Sequence, residues 1–133
     1  MLLYSILDRL TDWHYLLKAL GKDMNLENWQ TQIRKGVLDI VVLNLLQKGP
    51  SHGYEMVQTM KRVEGLQIRE GNIYPVLARL ETDGLVASYS QPSTDGPPRK
   101  YYKLTESGQK ALEDMNKHWD RIIESIQQVR KGV

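Results

Sequence analysis

Apolar residues return at steps of three and four along the first twenty positions: Leu3, Ile6, Leu10, Trp13, Leu17 and Leu20, with Asp8, Arg9, Asp12 and Lys18 largely off the stripe. That spacing predicts an amphipathic helix, stopped at Gly21. A second helix is predicted from about Glu27 to Gln47, with Asn25 or Asn28 as its cap. Its centre, Val37 to Leu46, is apolar nearly all round, as expected of a helix buried on most sides. A buried strand competes for so short a run. Trp29, Ile33, Val37 and Ile40 carry the helical period backwards and favour the helix.

Lys48-Gly49-Pro50-Ser51 reads as a turn, with Ser51 capping the next helix. That helix is expected over roughly His52 to Val63, with Tyr54, Val57, Met60 and Val63 inward. A further helix starts between Glu70 and Asn72, because Pro75 lacks an N–H and belongs in a first turn. Ile73, Leu77 and Leu80, with Val76 beside them, form its apolar face. Asn72, Tyr74, Pro75, Ala78 and Arg79 lie on its other sides. Gly84 suits a left-handed C-terminal stop. Leu85 to Ser90 and Arg99 to Leu104 both alternate, and the Pro- and Gly-rich stretch between them predicts a hairpin whose loop is too long for a tight turn. Thr105 caps a last helix reaching about Lys131, where Leu112, Met115, Trp119, Ile122, Ile126 and Val129 follow a heptad seam.

This order of elements describes a mainly α (α+β) fold. It is a winged helix-turn-helix with a two-stranded wing and a long C-terminal dimerisation helix, plus an extra N-terminal amphipathic helix. Three regions are expected: residues 1–23 as an extension, 24–104 as a DNA-binding domain, and 105–133 as the dimerisation helix. The extension is either a genuine extra helix or sequence upstream of a start at Met24.

Composition narrows the function. The chain has 133 residues, 41% of them hydrophobic and 26% charged, which suits one soluble domain. It holds no cysteine, which removes disulfides, thiolate metal sites and cysteine nucleophiles and fits a reducing cytoplasm. The formal net charge is only +2, so any nucleic-acid binding must rest on local clusters. No apolar stretch approaches the ~20 residues of a membrane span. Nucleophile elbow, phosphate loop and metal-ligand spacing are all missing, which argues against an enzyme. His52 and His118 have no third ligand spaced near them, so neither a metal nor a cofactor is expected.

Several motifs then become specific. Gly36-Val37-Leu38 through Leu45-Leu46 is followed by Lys48-Gly49-Pro50-Ser51-His52-Gly53-Tyr54-Glu55. After it come Gly71-Asn72-Ile73-Tyr74-Pro75-Val76-Leu77-Ala78-Arg79-Leu80-Glu81, Gly84-Leu85-Val86, Gly96-Pro97-Pro98-Arg99-Lys100-Tyr101-Tyr102 and Leu104-Thr105-Glu106-Ser107-Gly108. In this order they resemble the PadR family of bacterial transcription regulators, over about Asn28 to the C-terminus. The resemblance implies a cytoplasmic homodimer that binds a roughly palindromic operator in double-stranded DNA. It also implies that pockets between subunits take planar aromatic or drug-like effectors in some members. One departure is Arg69-Glu70, where the family usually places a small hydroxyl residue before its recognition segment.

The residues that would carry such chemistry follow. Asn72 suits adenine, and Arg79 suits guanine or a phosphate. Tyr74 and Pro75 sit where sugar, phosphate or thymine methyl contacts are feasible, and Arg69 is a phosphate candidate. Arg79 also reads as a solvated surface arginine, and Asn72 as a simple N-cap. Arg99, Lys100 and Lys103, interleaved with Tyr101 and Tyr102, form the local cluster that phosphate neutralisation needs, although lysine on an edge strand also discourages aggregation. Arg34-Lys35 and Lys61-Arg62 are further phosphate candidates, which also read as merely solvated. Trp119 is a large knob in the seam, or with Met115 it lines an effector cavity between subunits. Together with the resemblance, these features lead to the expectation of a sequence-specific DNA-binding transcriptional regulator, a repressor released by a small aromatic or drug-like effector. A winged-helix adaptor that binds protein without DNA is the alternative.

Overall fold

A computed structural model describes residues 26–132. The helix expected over residues 1–20 and the question of a start at Met24 lie outside the described residues. By contacts the chain parts into Met1–Lys35 and Gly36–Val133.

Helix α1 spans Leu26–Gln47. Asn28 lies inside it and not at its cap. From Leu38 onward its apolar residues go inside: Leu38, Val42, Leu43 and Leu46 are buried. In the earlier stretch Leu26, Trp29 and Ile33 stay exposed. Gly49 turns the chain at a φ of 145°, a conformation only glycine enters without strain.

Ser51 and His52 then form a short strand, β1, which pairs with Tyr102 and Tyr101. Helix α2 covers Gly53–Lys61, shorter than expected. Its cap is His52, not Ser51: the imidazole Nδ1 accepts from the Glu55 N–H at 3.3 Å. The Ser51 hydroxyl donates to the Glu55 carboxylate instead, at 3.1 Å. Met56, Val57 and Met60 are buried, whereas Tyr54 and Val63, expected inward, are exposed. The buried stripe of α2 runs through Gly53, Met56, Val57 and Met60, which leaves Tyr54 at its edge, and Val63 lies beyond the last helical residue.

Helix α3 covers Glu70–Thr82 and seats Ile73, Leu77 and Leu80 in the core. Pro75 is the sixth residue of this helix and not part of its first turn. Its missing N–H leaves the carbonyl four residues back, on exposed Gly71, to solvent. Gly84 adopts a φ of 75°, the left-handed stop read from the sequence.

Strands β2 (Val86–Ser93) and β3 (Gly96–Leu104) form the wing hairpin. Their pairing reaches Ser93 opposite Gly96, so the connection is a tight turn at Thr94-Asp95 and not the long loop expected. The register shifts between Gln91 and Ser93, where Pro97 and Pro98 on β3 cannot donate to the ladder. The sheet is three-stranded and antiparallel, in the order β1-β3-β2, one strand more than the expected wing.

Helix α4 covers Glu106–Lys131. Thr105 caps it as expected: its hydroxyl accepts from the Gly108 N–H at 3.0 Å and donates to the Gly84 carbonyl at 2.6 Å. A Cβ at Gly108 would run into the Leu85 carbonyl, which already accepts from the Thr105 N–H. Those contacts join the end of α3 to the root of α4. Leu112 completes the core with Val86 and Tyr102. Above it, Asn44 and Asn116 exchange two side-chain hydrogen bonds at 3.0 Å each, and Asn44 also donates to the Ile40 carbonyl. A half-buried amide pair of this kind satisfies its own polar groups while pinning α4 to α1.

Candidate nucleic-acid interface

The division of α3 into two faces is the basis of the site. Its buried face leaves Asn72, Tyr74, Pro75, Ala78 and Arg79 exposed on the outside. The helix opens at Arg69, which has extended backbone and makes no side-chain cap bond. Asn72 is three residues further in, its N–H already bonded to the Arg69 carbonyl at 2.9 Å. The amide side chain of Asn72 is therefore not used as a cap.

Tyr74 is half exposed and has two intrachain attachments. Its hydroxyl donates to the Glu70 carboxylate at 3.2 Å. Its ring lies over Gly53 so closely that a Cβ there would come within 2.7 Å of Cε1. Partial burial pushes the phenol above its usual value, helped by the hydrogen bond to Glu70 and that residue's charge. The glycine before Tyr54 and the tyrosine before Pro75 are thus two sides of one α2–α3 contact.

Arg79 stands on the exposed side but is not free. Its two terminal nitrogens donate to the Asp39 carboxylate of α1 at 2.7 and 2.6 Å. This bidentate fork raises the arginine further above its usual value, the hydrogen bond contributing most. Sequence reading missed Asp39, because a lone acid within an apolar helix carries no local signal of a partner forty residues away.

Strand alternation splits the basic run of the wing. Arg99, Tyr101 and Lys103 lie on one face and Lys100 and Tyr102 on the other. On the first face Arg99 approaches the His52 ring at 3.1 Å, Tyr101 meets His52 edge-on and stacks on Tyr89, and Lys103 lies over the Tyr89 ring. On the second face Lys100 sits over the Tyr102 ring, 4.0 Å from the Glu81 carboxylate of α3. Both Arg99 and Lys100 remain exposed.

The heptad seam of α4 divides as well. Leu112 is buried in its own chain's core and Met115 packs partly against it. Trp119, Ile122, Ile126 and Val129 are exposed, as is Ile123 beside them. Among the described residues no group of three or more metal-ligating side chains gathers, and no helix is long and apolar enough to cross a membrane.

Comparison with known proteins agrees with this arrangement. The model of the transcriptional regulator PadR-like family matches residues 42–114. A PadR-family transcriptional regulator from Eggerthella lenta superposes with a TM-score of 0.75 at 27% identity, covering 86% of this chain and 99% of its own. A PadR-like transcriptional regulator from Bacillus cereus gives 0.68 at 29% identity, covering 77% and 99%. The negative transcriptional regulator PadR of Bacillus subtilis is 31% identical over 80 residues, 59% of this chain and 44% of that protein.

Proposed function

The chain belongs to the PadR-like family of transcriptional regulators, which are not enzymes, and on that premise we propose that it binds a specific duplex DNA operator as a homodimer and represses transcription in a bacterial cytoplasm. The observation that carries DNA binding is the two-sided α3. Its apolar face is fully seated, and its N-terminal outer face offers Asn72 and Pro75, with half of Tyr74 and the uncapped Arg69 beside them. A recognition helix reads base edges with its N-terminal residues, and an uncapped helix start with an arginine suits a phosphate. The wing adds Arg99 and Lys100, exposed on opposite faces of β3, as backbone contacts.

Dimerisation is assigned to the exposed seam of α4, where Trp119, Ile122, Ile126 and Val129 form an apolar row that a second copy would cover. Two-fold pairing would then place the two recognition helices on half-sites ~34 Å apart, or a multiple of that. Repression is carried over from the Bacillus subtilis relative, a negative transcriptional regulator. A small planar aromatic effector held near Trp119 and Met115 would alter the spacing of the helices and release the operator.

The test begins with selection of duplexes from a random pool by the purified protein, followed by titration of the recovered sequence. Binding at about 10⁻⁸ M or tighter is expected at physiological salt, with log K falling linearly against log salt. Arg99→Ala with Lys100→Ala weakens binding and flattens that slope. Failure to recover any preferred duplex would favour the adaptor reading. The effector is checked by quenching of Trp119 emission with planar dyes in a variant lacking Trp13 and Trp29.

A further inference from the structure

The Asp39–Arg79 pair bears on how α3 is held. Arg79 lies in the last turn of α3, nine residues beyond Glu70, or about 13 Å along the axis from the end that enters a groove. Its guanidinium fork is spent on both oxygens of Asp39. A neutral ion pair draws little from a phosphate, and using Arg79 on DNA would bring an unpaired carboxylate towards a polyanion. Arginine is the residue suited to this task, since lysine cannot make the planar two-bond fork.

We propose that Asp39 and Arg79 are positioning residues: they clamp the C-terminal half of α3 to α1 and so set the angle at which the N-terminal half meets DNA, without touching DNA themselves. This rests on the DNA-binding reading above and extends it to a residue on α1. The clamp acts alongside the core, because the pair lies at the surface, with about half of the Arg79 side chain exposed. It therefore restricts rotation of a helix already docked by Ile73, Leu77 and Leu80.

A double-mutant cycle on the selected duplex tests it, using Asp39→Asn, Arg79→Gln and the pair, with the charge swap Asp39→Arg/Arg79→Asp as a fourth variant. Each single change is expected to weaken binding about tenfold, the pair no more than either alone, and the salt slope to stay as in wild type. The swap is expected to recover most of the affinity, which an aspartate at position 79 could not do by contacting phosphate. Arg79→Gln weakening binding further in the Asp39→Asn background, or flattening the slope by about one phosphate, would overturn the clamp. So would a swap variant that melts like wild type yet stays unbound. If wild type selects no duplex, the DNA reading fails but the clamp is still decided by thermal unfolding of the same cycle. Coupled losses of several degrees support it, and additive or absent losses overturn it.

Discussion

Helices α3 and α4 carry apolar residues at similar spacing, yet the two rows have different fates. In α3, Ile73, Leu77 and Leu80 are all within 1% of complete burial in their own chain. In α4 the row is inside only at its root, with Leu112 buried and Met115 half-buried; from Trp119 onward it is open to solvent. Spacing shows that a helix has an apolar side. It does not show whether the same chain or a second copy covers that side. The polar residues differ in the same way: Tyr74, Arg79 and Glu81 of α3 meet Gly53 of α2, Asp39 of α1 and Lys100 of β3, while among the described residues α4 is tied back in its first half, by Thr105 and by the Asn44–Asn116 pair.

This contrast can be broken most forcefully at Leu77. Leu77→Ala leaves a cavity in the sealed face and is expected to lower unfolding stability by about 2–5 kcal/mol. In urea titrations the loss should be equal at low and high protein concentration. A concentration-dependent loss would mean that α3 is also part of a subunit interface. On α4 the expected behaviour is reversed. Trp119→Ala with Ile126→Ala should raise the dimer dissociation constant by roughly a hundredfold or more, as removal of two central apolar anchors does. Sedimentation equilibrium reads this directly, and an unchanged association constant would leave the exposed seam without its proposed partner.

Two smaller effects sharpen the comparison. Gly108→Ala places a methyl against the Leu85 carbonyl at the root of α4, and it should cost about 1–3 kcal/mol. Gly36→Ala has open space around it within α1 and should stabilise by up to about 1 kcal/mol. Equal melting temperatures for the two would remove the root from the packed part of the fold. The smallest effect concerns the outer face of α3. Tyr74 is raised above the ordinary phenol value in the folded chain, so the fold favours its neutral form. That contribution is complete below the unfolded phenol's value, near 10, and fades as pH rises through the folded one. Tyr74→Phe should therefore lose less stability than wild type between neutral and strongly alkaline pH, as measured by urea unfolding.

Much of this was legible from residue order. The inward and outward sides of α3, the Gly84 stop, the Thr105 cap and the extent of α4 all follow from rules acting within a few residues. Other features escaped. Strand β1 is two residues long and exists because Tyr101 and Tyr102 pair with it; two residues hold no period to detect. The hairpin was read as long-looped because Pro97 and Pro98 signal irregular chain, whereas pairing resumes beyond them at Gly96. Ser51 looked like the cap, but the strand pairing that includes His52 sets the imidazole there. In the candidate interface, Asn72, Tyr74 and Pro75 were found on the outer face where expected. The commitment of Arg79 to Asp39 and of the Tyr74 ring to Gly53 was hidden.

The division has a physical basis. Helical period, glycine stops and hydroxyl caps depend on backbone geometry and the nearest neighbours, and the residue order carries these in full. Which acid holds Arg79, which edge takes Ser51 and His52, and which stretch of α4 remains uncovered depend on distances between segments far apart in the chain. Those distances arise only when the apolar faces close on one another, and only then do single charged and aromatic side chains acquire their partners.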